Sequence, residues 1–454
     1  MNQSLWEKIE AFKLDDPLSE YGFNLRLAYE NYWTLHFTEK AIMEYKKFMY
    51  LAATADGMVS PSPIIDKVWH QHLIFSKMYE EFCEVLGKHV NHVPSTHDKK
   101  EVNIFRLAKE RTQSLYEATF GPQPSEIWGY KDMYANLHLE KGRFKLRTII
   151  IIGLLICLAL YFPAYLLLQP LISTIGNPDF LNGLFGLAAI TFIGLELFNR
   201  FKLQSILKQI PSNAFIFDLS PSELIFLKTK NLSNVVLGSL NALAKSGHIL
   251  IGKDSKVSAS EQSPEDIKNI RQRHLYLHIS DCPNIKAESL INNFSNKPIF
   301  KNIASSMVAF EKYFRKSKLF QSLFNINFVV INFIILIAFI RLASGIAREK
   351  PVTWIALVFI GLVIAAILYL YRLTVMMGGE IIPLKYKKET KKSRQKSNDL
   401  EMAYFLAGSS FLLFSLRSSA KSESSGFMSA ACGGAASCGS SCGGSCGGCG
   451  GCGG

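Results

Sequence analysis

The residues of this 454-residue chain whose types and spacing could do chemistry fall into two groups. The first lies in PIIDKVWHQHL at 63–73 and runs on to NHV at 91–93. On a helix Asp66 stands one turn before His70, so its carboxylate can orient that imidazole. His70 and His72 are separated by about 200° around a helix axis, which keeps them from readily sharing one metal ion. One of them can instead join Cys83, His89 or His92, brought back by a turn at Gly87. A set of His72, Cys83 and His92 would offer nitrogen and sulfur ligands suited to zinc. Its spacing is not among the recognised zinc patterns. The competing reading takes Asp66, Trp69, His70 and His72 as a structural motif, a packed polar network that holds helices together.

The second group is Cys432, Cys438, Cys442, Cys446, Cys449 and Cys452, in a Ser/Gly/Ala tail that begins at Ser418. Glycine makes such a tail an open coil, so a disordered Gly/Cys tail is expected. In a reducing cytoplasm its thiols are not expected to stand as disulfides. Closely spaced thiolates on a flexible chain can wrap zinc or Cu(I), or hold an iron–sulfur cluster. The order Cys442-x3-Cys446-x2-Cys449-x2-Cys452 reverses the familiar ferredoxin run. A low-complexity tail used for attachment is the alternative, and heterocyclisation of its Gly-Cys repeats is a further one. Just before it, residues 404–416 are apolar but too short to span, and fit an interfacial segment.

The elements that must carry these groups follow from composition. Hydrophobic residues make up 48% and charged residues 19%, with a net charge of +13, which excludes wholesale disorder. Nine cysteines gathered mostly at one end exclude a small disulfide scaffold. Four apolar runs, at 146–168, 180–198, 322–342 and 352–371, approach the roughly 20 residues that cross a bilayer. They predict four transmembrane helices in two hairpins, 146–198 and 322–371, with Pro163 kinking the first. Lys and Arg cluster before the first run, after the second, before the third and after the fourth. The positive-inside rule then places both termini and the long middle loop in the cytoplasm. Arg341, Arg348 and Lys350 in the last short loop run against that vote. Residues 1–10 lack the basic start and apolar core of a secretory signal. Within the spans, Glu196 can reach the interface or meet Arg200, and Asn325, Asn327 and Asn332 are candidates for interhelical hydrogen bonds. No chain of charges marks a transport path.

Outside the spans, residues 1–140 read as a helical cytoplasmic domain. Ile42, Tyr45, Phe48 and Met49 make a helical stripe, and Ser62-Pro63 starts a helix that should run to Leu86 and stop at Gly87. Residues 199–318 predict a small α+β domain of winged-helix-like order: a helix opened by a Ser220/Glu223 capping box, a second stopped at Gly247, then HILIGK as a strand with a return at Lys256-Val257. Its basic surface admits nucleic acid, but protein contact is the preferred expectation, because cytoplasmic loops are basic anyway. Residues 372–403 read as a basic linker lying against anionic lipid, and 404–454 as the short apolar segment and tail. The fold class expected is therefore mainly α.

At these residues the chain resembles known families. RLAYEN, EYKKFMYLA, PSPIIDKVWHQHL, YEEFCEVLG, NHVPS and LYEATFGPQPSEIW, within about residues 10–130, resemble the glycine-rich domain-containing protein-like family, whose Asp-x-x-Trp-His-x-His-Leu hallmark is here Asp66, Trp69, His70, His72 and Leu73. Glu80 stands where bacterial members often have Trp, and His97-Asp98 where a glycine pair is common. The rest is similar to a bacterial membrane-protein family of unknown function that ends in a glycine–cysteine tail, through Phe217, Asp218, Glu223, Leu227, Leu240, Leu243 and Gly247. Thr229-Lys230-Asn231 replaces the glycine pair often found between its two helices. The second resemblance implies a bacterial inner membrane; neither implies a catalytic chemistry.

No phosphate-binding glycine loop, His-Glu-x-x-His or nucleophile elbow is present. The expectation is a non-enzymatic membrane scaffold or interaction protein whose tail binds a protein partner or a soft metal. The alternative is a membrane-bound, metal-dependent enzyme built on Asp66, His70 and His72.

Overall fold

The amino-terminal residues fold as the capping signals require. The structure, a computed structural model, describes residues 2–15, 19–93, 102–252, 255–392 and 399–407. Helices α1 (Gln3–Ala11), α2 (Phe23–Asn31) and α3 (Leu35–Thr54) come first, and Ile42, Tyr45, Phe48 and Met49 of α3 are all buried. The Ser62 hydroxyl accepts the Ile65 amide at 3.2 Å and donates to the Ile127 carbonyl at 2.8 Å. That cap starts α4 (Pro63–Ile74). The single helix expected from Pro63 to Leu86 is two helices, because Phe75 leaves the helical region at φ −89° and ψ 61°. Its ring then packs on Phe23 at 5.6 Å, and α5 (Ser76–Leu86) turns Tyr79, Phe82, Cys83 and Leu86 inward. No glycine or proline marks this break; a tertiary contact accompanies it. Gly87, at φ +67°, ends α5 in the left-handed conformation that glycine adopts without strain. Helices α6 (Val102–Phe120) and α7 (Ser125–Trp128) complete this part.

Four helices are long and apolar enough to cross a membrane: α8 (Leu146–Ile172), α9 (Asn177–Gln209), α15 (Lys318–Ala347) and α16 (Thr353–Met376), the last running on into α17 (Ile382–Lys392). Helix α15 is the most buried and touches the other three. Of the three asparagines on it, Asn327 makes a reciprocal amide pair with Asn199 at 2.8 and 2.7 Å. Asn332 bonds its own helix at the Phe328 carbonyl, and Asn325 is exposed. Glu196 does meet Arg200, at 2.6 Å, inside a larger ring. Arg372 grips Glu196 with both terminal nitrogens at 2.8 and 2.9 Å and donates to Glu380 at 2.9 Å, which Arg200 also reaches at 2.8 Å. Helix α8 packs tightly on α15 at Gly153, where an added Cβ would sit 2.6 Å from Phe328 Cε1. The Phe328 ring is stacked on Phe324 and cannot swing away freely. Gly153→Val should therefore lower thermal stability in detergent by about 1–3 kcal/mol; an unchanged melting temperature would mean that α8 slides without cost.

The segment between the hairpins forms α10 (Pro221–Thr229), α11 (Leu232–Lys245), β1 (Ile249–Ile251), β2 (Lys256–Ala259), α12 (Ile270–Asp281), β3 (Ile285–Lys286), α13 (Ala287–Asn296) and α14 (Pro298–Arg315). The Glu223 carboxylate accepts the Ser220 amide at 2.7 Å, and Gly247 follows α11 at φ +81°. The hairpin falls where it was expected, Ile249 facing Ala259, and β3 adds a third antiparallel strand through Lys256 and Lys286. The expected helix–helix–hairpin order thus continues into a third strand and three more helices.

One apolar core joins the amino-terminal helices to this segment. Across the seam, Asn302 Nδ2 donates to the Trp33 carbonyl at 3.2 Å, Tyr134 stacks on Tyr313, and Lys40 pairs with Asp218 at 2.7 Å. Both parts therefore sit at the same end of the four helices. The Lys318 amide donates to the Glu140 carbonyl and the Gln321 side chain to the Phe144 carbonyl, pinning the starts of α8 and α15 side by side. Residues beyond 371, expected as a linker, instead continue through a π-helical turn, Met377–Ile381, into α17. Ile381 and Ile382 are buried there, and the Tyr386 hydroxyl accepts the Leu219 amide at 2.8 Å. Helix α18 (Leu400–Ala407) packs Tyr404 and Phe405 against α10 and α11, so the start of the expected interfacial segment is part of the body. The rest of that segment and the six tail cysteines lie outside the described residues.

Candidate metal centre

The chemistry-bearing residues of the amino-terminal part divide between two faces of α4. Asp66 and His70 share the outer face, one turn apart. His92 reaches them from the segment that returns after Gly87, its Nε2 lying 3.0 Å from Asp66 Oδ1. His70 Nε2 lies 3.9 Å from the same oxygen, and the three potential ligand atoms are within 4.8 Å of one another. The His70 and His92 rings are 4.5 Å apart, and Trp69 meets His92 edge-on at 4.6 Å. His92 is mostly buried, while His70 is 56% exposed, so the group is reachable from solvent on the His70 side.

What holds His92 in place is a chain of contacts that the sequence does not announce. Trp69 Nε1 donates to the Tyr79 hydroxyl at 3.1 Å, and that hydroxyl donates to the Val90 carbonyl. Burial raises the Tyr79 phenol far above its ordinary value, so it stays protonated and able to donate. Lys88 meanwhile ties the same segment to the end of α3 through the Ala52 carbonyl at 3.1 Å. The 88–92 stretch is thereby tied down at Lys88 and at Val90. Asp66, His70 and His92 line a cleft of about 660 Å³, with Phe48, Trp69 and Val90 among its apolar walls and His89 and Asp56 also bordering it.

His72 points the other way. It is fully buried, its Nδ1 is 2.8 Å from the Tyr45 hydroxyl, and it packs among Phe23, Tyr79 and Phe82. Burial pushes its imidazole down to about 4, so it is neutral at physiological pH. The structure accordingly groups His92 with Asp66 and His70, not with His72 and Cys83, which both lie in the core. The helix angle explains this: the same twist that separates His70 from His72 turns one outward and the other inward. The expected orientation of His70 by Asp66 is present only as a 3.9 Å approach; His92 takes the hydrogen bond. The i, i+4 spacing of Asp66 and His70 signals two members of the group, whereas His92, 26 residues from Asp66, is placed by tertiary structure alone.

Two imidazoles and a carboxylate match the donor sets of three-ligand zinc sites and of the facial triad of non-haem iron. Bond lengths near 2.0–2.1 Å around a tetrahedral zinc ion put neighbouring donor atoms about 3.3 Å apart. The separations of 3.0 and 3.9 Å from Asp66 Oδ1 bracket that value. Among the described residues three protein ligands meet, and with that set the remaining position would open to the cleft, as it does in catalytic zinc sites. No family model, curated protein or solved structure matches this chain.

Proposed function

We propose that the chain is an integral membrane protein whose body, on the cytoplasmic side, binds a zinc ion at Asp66, His70 and His92 and presents its open position to a substrate in the adjoining cleft. The meeting of two imidazoles and a carboxylate from separate segments, in a wall of that cleft, carries this reading. Three ligands, the number that meet among the described residues, are the set of catalytic zinc sites and suit a membrane-bound, metal-dependent enzyme, whereas structural sites carry four. Asp66 would supply the anionic ligand and His92 the ordered one, held by the Trp69–Tyr79–Val90 chain. Exposed His70 would complete the set on the solvent side. The basic edges of the four apolar helices support the cytoplasmic placement. The resemblance of the amino-terminal part to the glycine-rich domain-containing protein-like family stands beside this reading without supplying a reaction.

The cysteine tail remains a second candidate for soft metal or for a partner, so the test must separate the two. The full chain carrying Cys→Ser at the six tail positions, purified in detergent and stripped of metal, is titrated with zinc by calorimetry. About one ion per chain is expected, with affinity at least tenfold weaker in His92→Ala and in His70→Ala and unchanged in His89→Ala. Zinc binding that is indifferent to His70 and His92 would return the protein to the scaffold reading.

A further inference from the structure

A second cleft, of about 580 Å³, lies where the helices leave the expected bilayer and is independent of the metal centre. Its walls come from the end of α9, the following turn, and α17. Leu207, Ile381 and Leu384 supply apolar surface, and Lys208, Lys385 and Lys388 border it. Three ammonium groups thus face a single lining carboxylate, Glu389. That carboxylate is 3.4 Å from Lys385, whose ammonium also sits 3.5 Å over the Phe217 ring. Lys208 and Lys388 are exposed and form no ion pair among the described residues. The cleft therefore joins an apolar floor to an excess of positive charge.

Its depth matters as much as its lining. Phe201 of α9 is 70% exposed, so the lipid-facing surface of that helix reaches at least to this residue. Gln204 borders the cleft three residues further on. At 1.5 Å per residue that is about 5 Å along the axis, within the ~5–8 Å depth of a headgroup layer. Lys208, one turn beyond, stands at the outer edge of that layer, where phosphate groups and ammonium side chains meet.

We infer that this cleft holds the phosphate of an anionic phospholipid, with Lys208 and Lys388 on the phosphate oxygens and the start of the acyl region over Leu207, Ile381 and Leu384. Lys385, held against Phe217 and Glu389, shapes the wall between them. A free phosphate would satisfy the lysines but not the apolar floor, so the source of the phosphate is itself testable.

The full chain is reconstituted into nanodiscs of phosphatidylcholine with a minor fraction of phosphatidylglycerol, then extracted gently, and the retained lipid is read by native mass spectrometry. Phosphatidylglycerol is expected to be enriched on the wild-type chain, about tenfold less on Lys208→Ala/Lys388→Ala, and within twofold of wild type on Lys312→Ala/Lys316→Ala. The last pair removes the same charge from the basic stretch before α15, where both lysines are exposed and neither lines the cleft. Equal losses in the two double variants would reduce the effect to diffuse attraction and overturn the site. So would an absence of enrichment on the wild type. Displacement of the lipid by millimolar inorganic phosphate alone would overturn the lipid as occupant.

Discussion

Replacing Glu401 with alanine should unlatch the last helix and cost about 3–5 kcal/mol, the range found when one partner of a buried charged network is removed. Glu401 is 1% exposed, and its carboxylate is the meeting point of three other helices. It accepts from Ser222 of α10 at 2.6 Å, from Ser239 of α11 at 3.0 Å, and from Asn269 and Gln272 at the start of α12 at 3.2 and 3.3 Å. Truncation leaves two buried and two half-buried donors without their acceptor and opens a void among α10, α11 and α18. Glu401→Gln keeps one carbonyl oxygen and the volume, and should recover part of the loss. Burial also raises the Glu401 pKa, against the pull of Ser222 and of nearby Arg271. A folded-state value above the unfolded one means that the folded chain binds the proton more tightly. The stability advantage of the glutamate over glutamine should therefore be largest in acid, below the ordinary carboxylate range, and shrink as pH rises through the raised value. Chemical denaturation of the three chains across that interval measures both effects. A cost below about 1 kcal/mol for Glu401→Ala, against the 1–3 kcal/mol of even one unsatisfied buried group, would show that α18 is not latched through this carboxylate.

That latch marks the boundary of what the sequence makes legible. Signals that act locally can be read directly: the four apolar runs, the Ser62-Pro63 start, the stops at Gly87 and Gly247 and the Ser220/Glu223 box depend on residues within a few positions of one another. The break at Phe75 cannot be read that way, because Phe23 packs against it from 52 residues earlier. Nor can the pairing of Asp66 with His92, which needs Tyr79 and Trp69 to hold the returning segment. The basic run after residue 371 reads as a linker because its lysines dominate the composition. The structure is instead organised by a few side chains among them: Ile381 and Ile382, buried against the body, and half-buried Tyr386, whose hydroxyl accepts the Leu219 amide. Arg372 similarly sits just past the last apolar run and looks like a flanking charge, yet it closes a four-residue ring with Glu196, Arg200 and Glu380. Charge count describes where such residues are, and not which partner they will find.

Trp33→Ala tests the other long-range feature, the seam that makes one body of two stretches of chain. Trp33 is fully buried. Its indole donates to Asp132 Oδ1 at 3.3 Å, its ring meets Phe37 edge-on at 5.2 Å, and its carbonyl receives Asn302 Nδ2 from α14. The neighbouring Tyr32 carbonyl accepts the Tyr134 hydroxyl, which also reaches the Ser306 carbonyl of α14 at 3.1 Å. Truncating the indole should cost about 3–5 kcal/mol, as large buried aromatic residues generally do. The informative part is where the loss appears. If the seam couples the two stretches, hydrogen exchange should accelerate in α14 as well as in α2 and α3, since the void sits beside the carbonyls that bond across the seam. Trp33→Phe, which keeps most of the ring volume, should restore slow exchange in α14 while losing only the Asp132 hydrogen bond. Protection of α14 that survives Trp33→Ala, with losses confined to α2 and α3, would mean that the two stretches fold independently. The part that carries Asp66, His70 and His92 would then be a passenger on the four apolar helices, without a fixed place at their end.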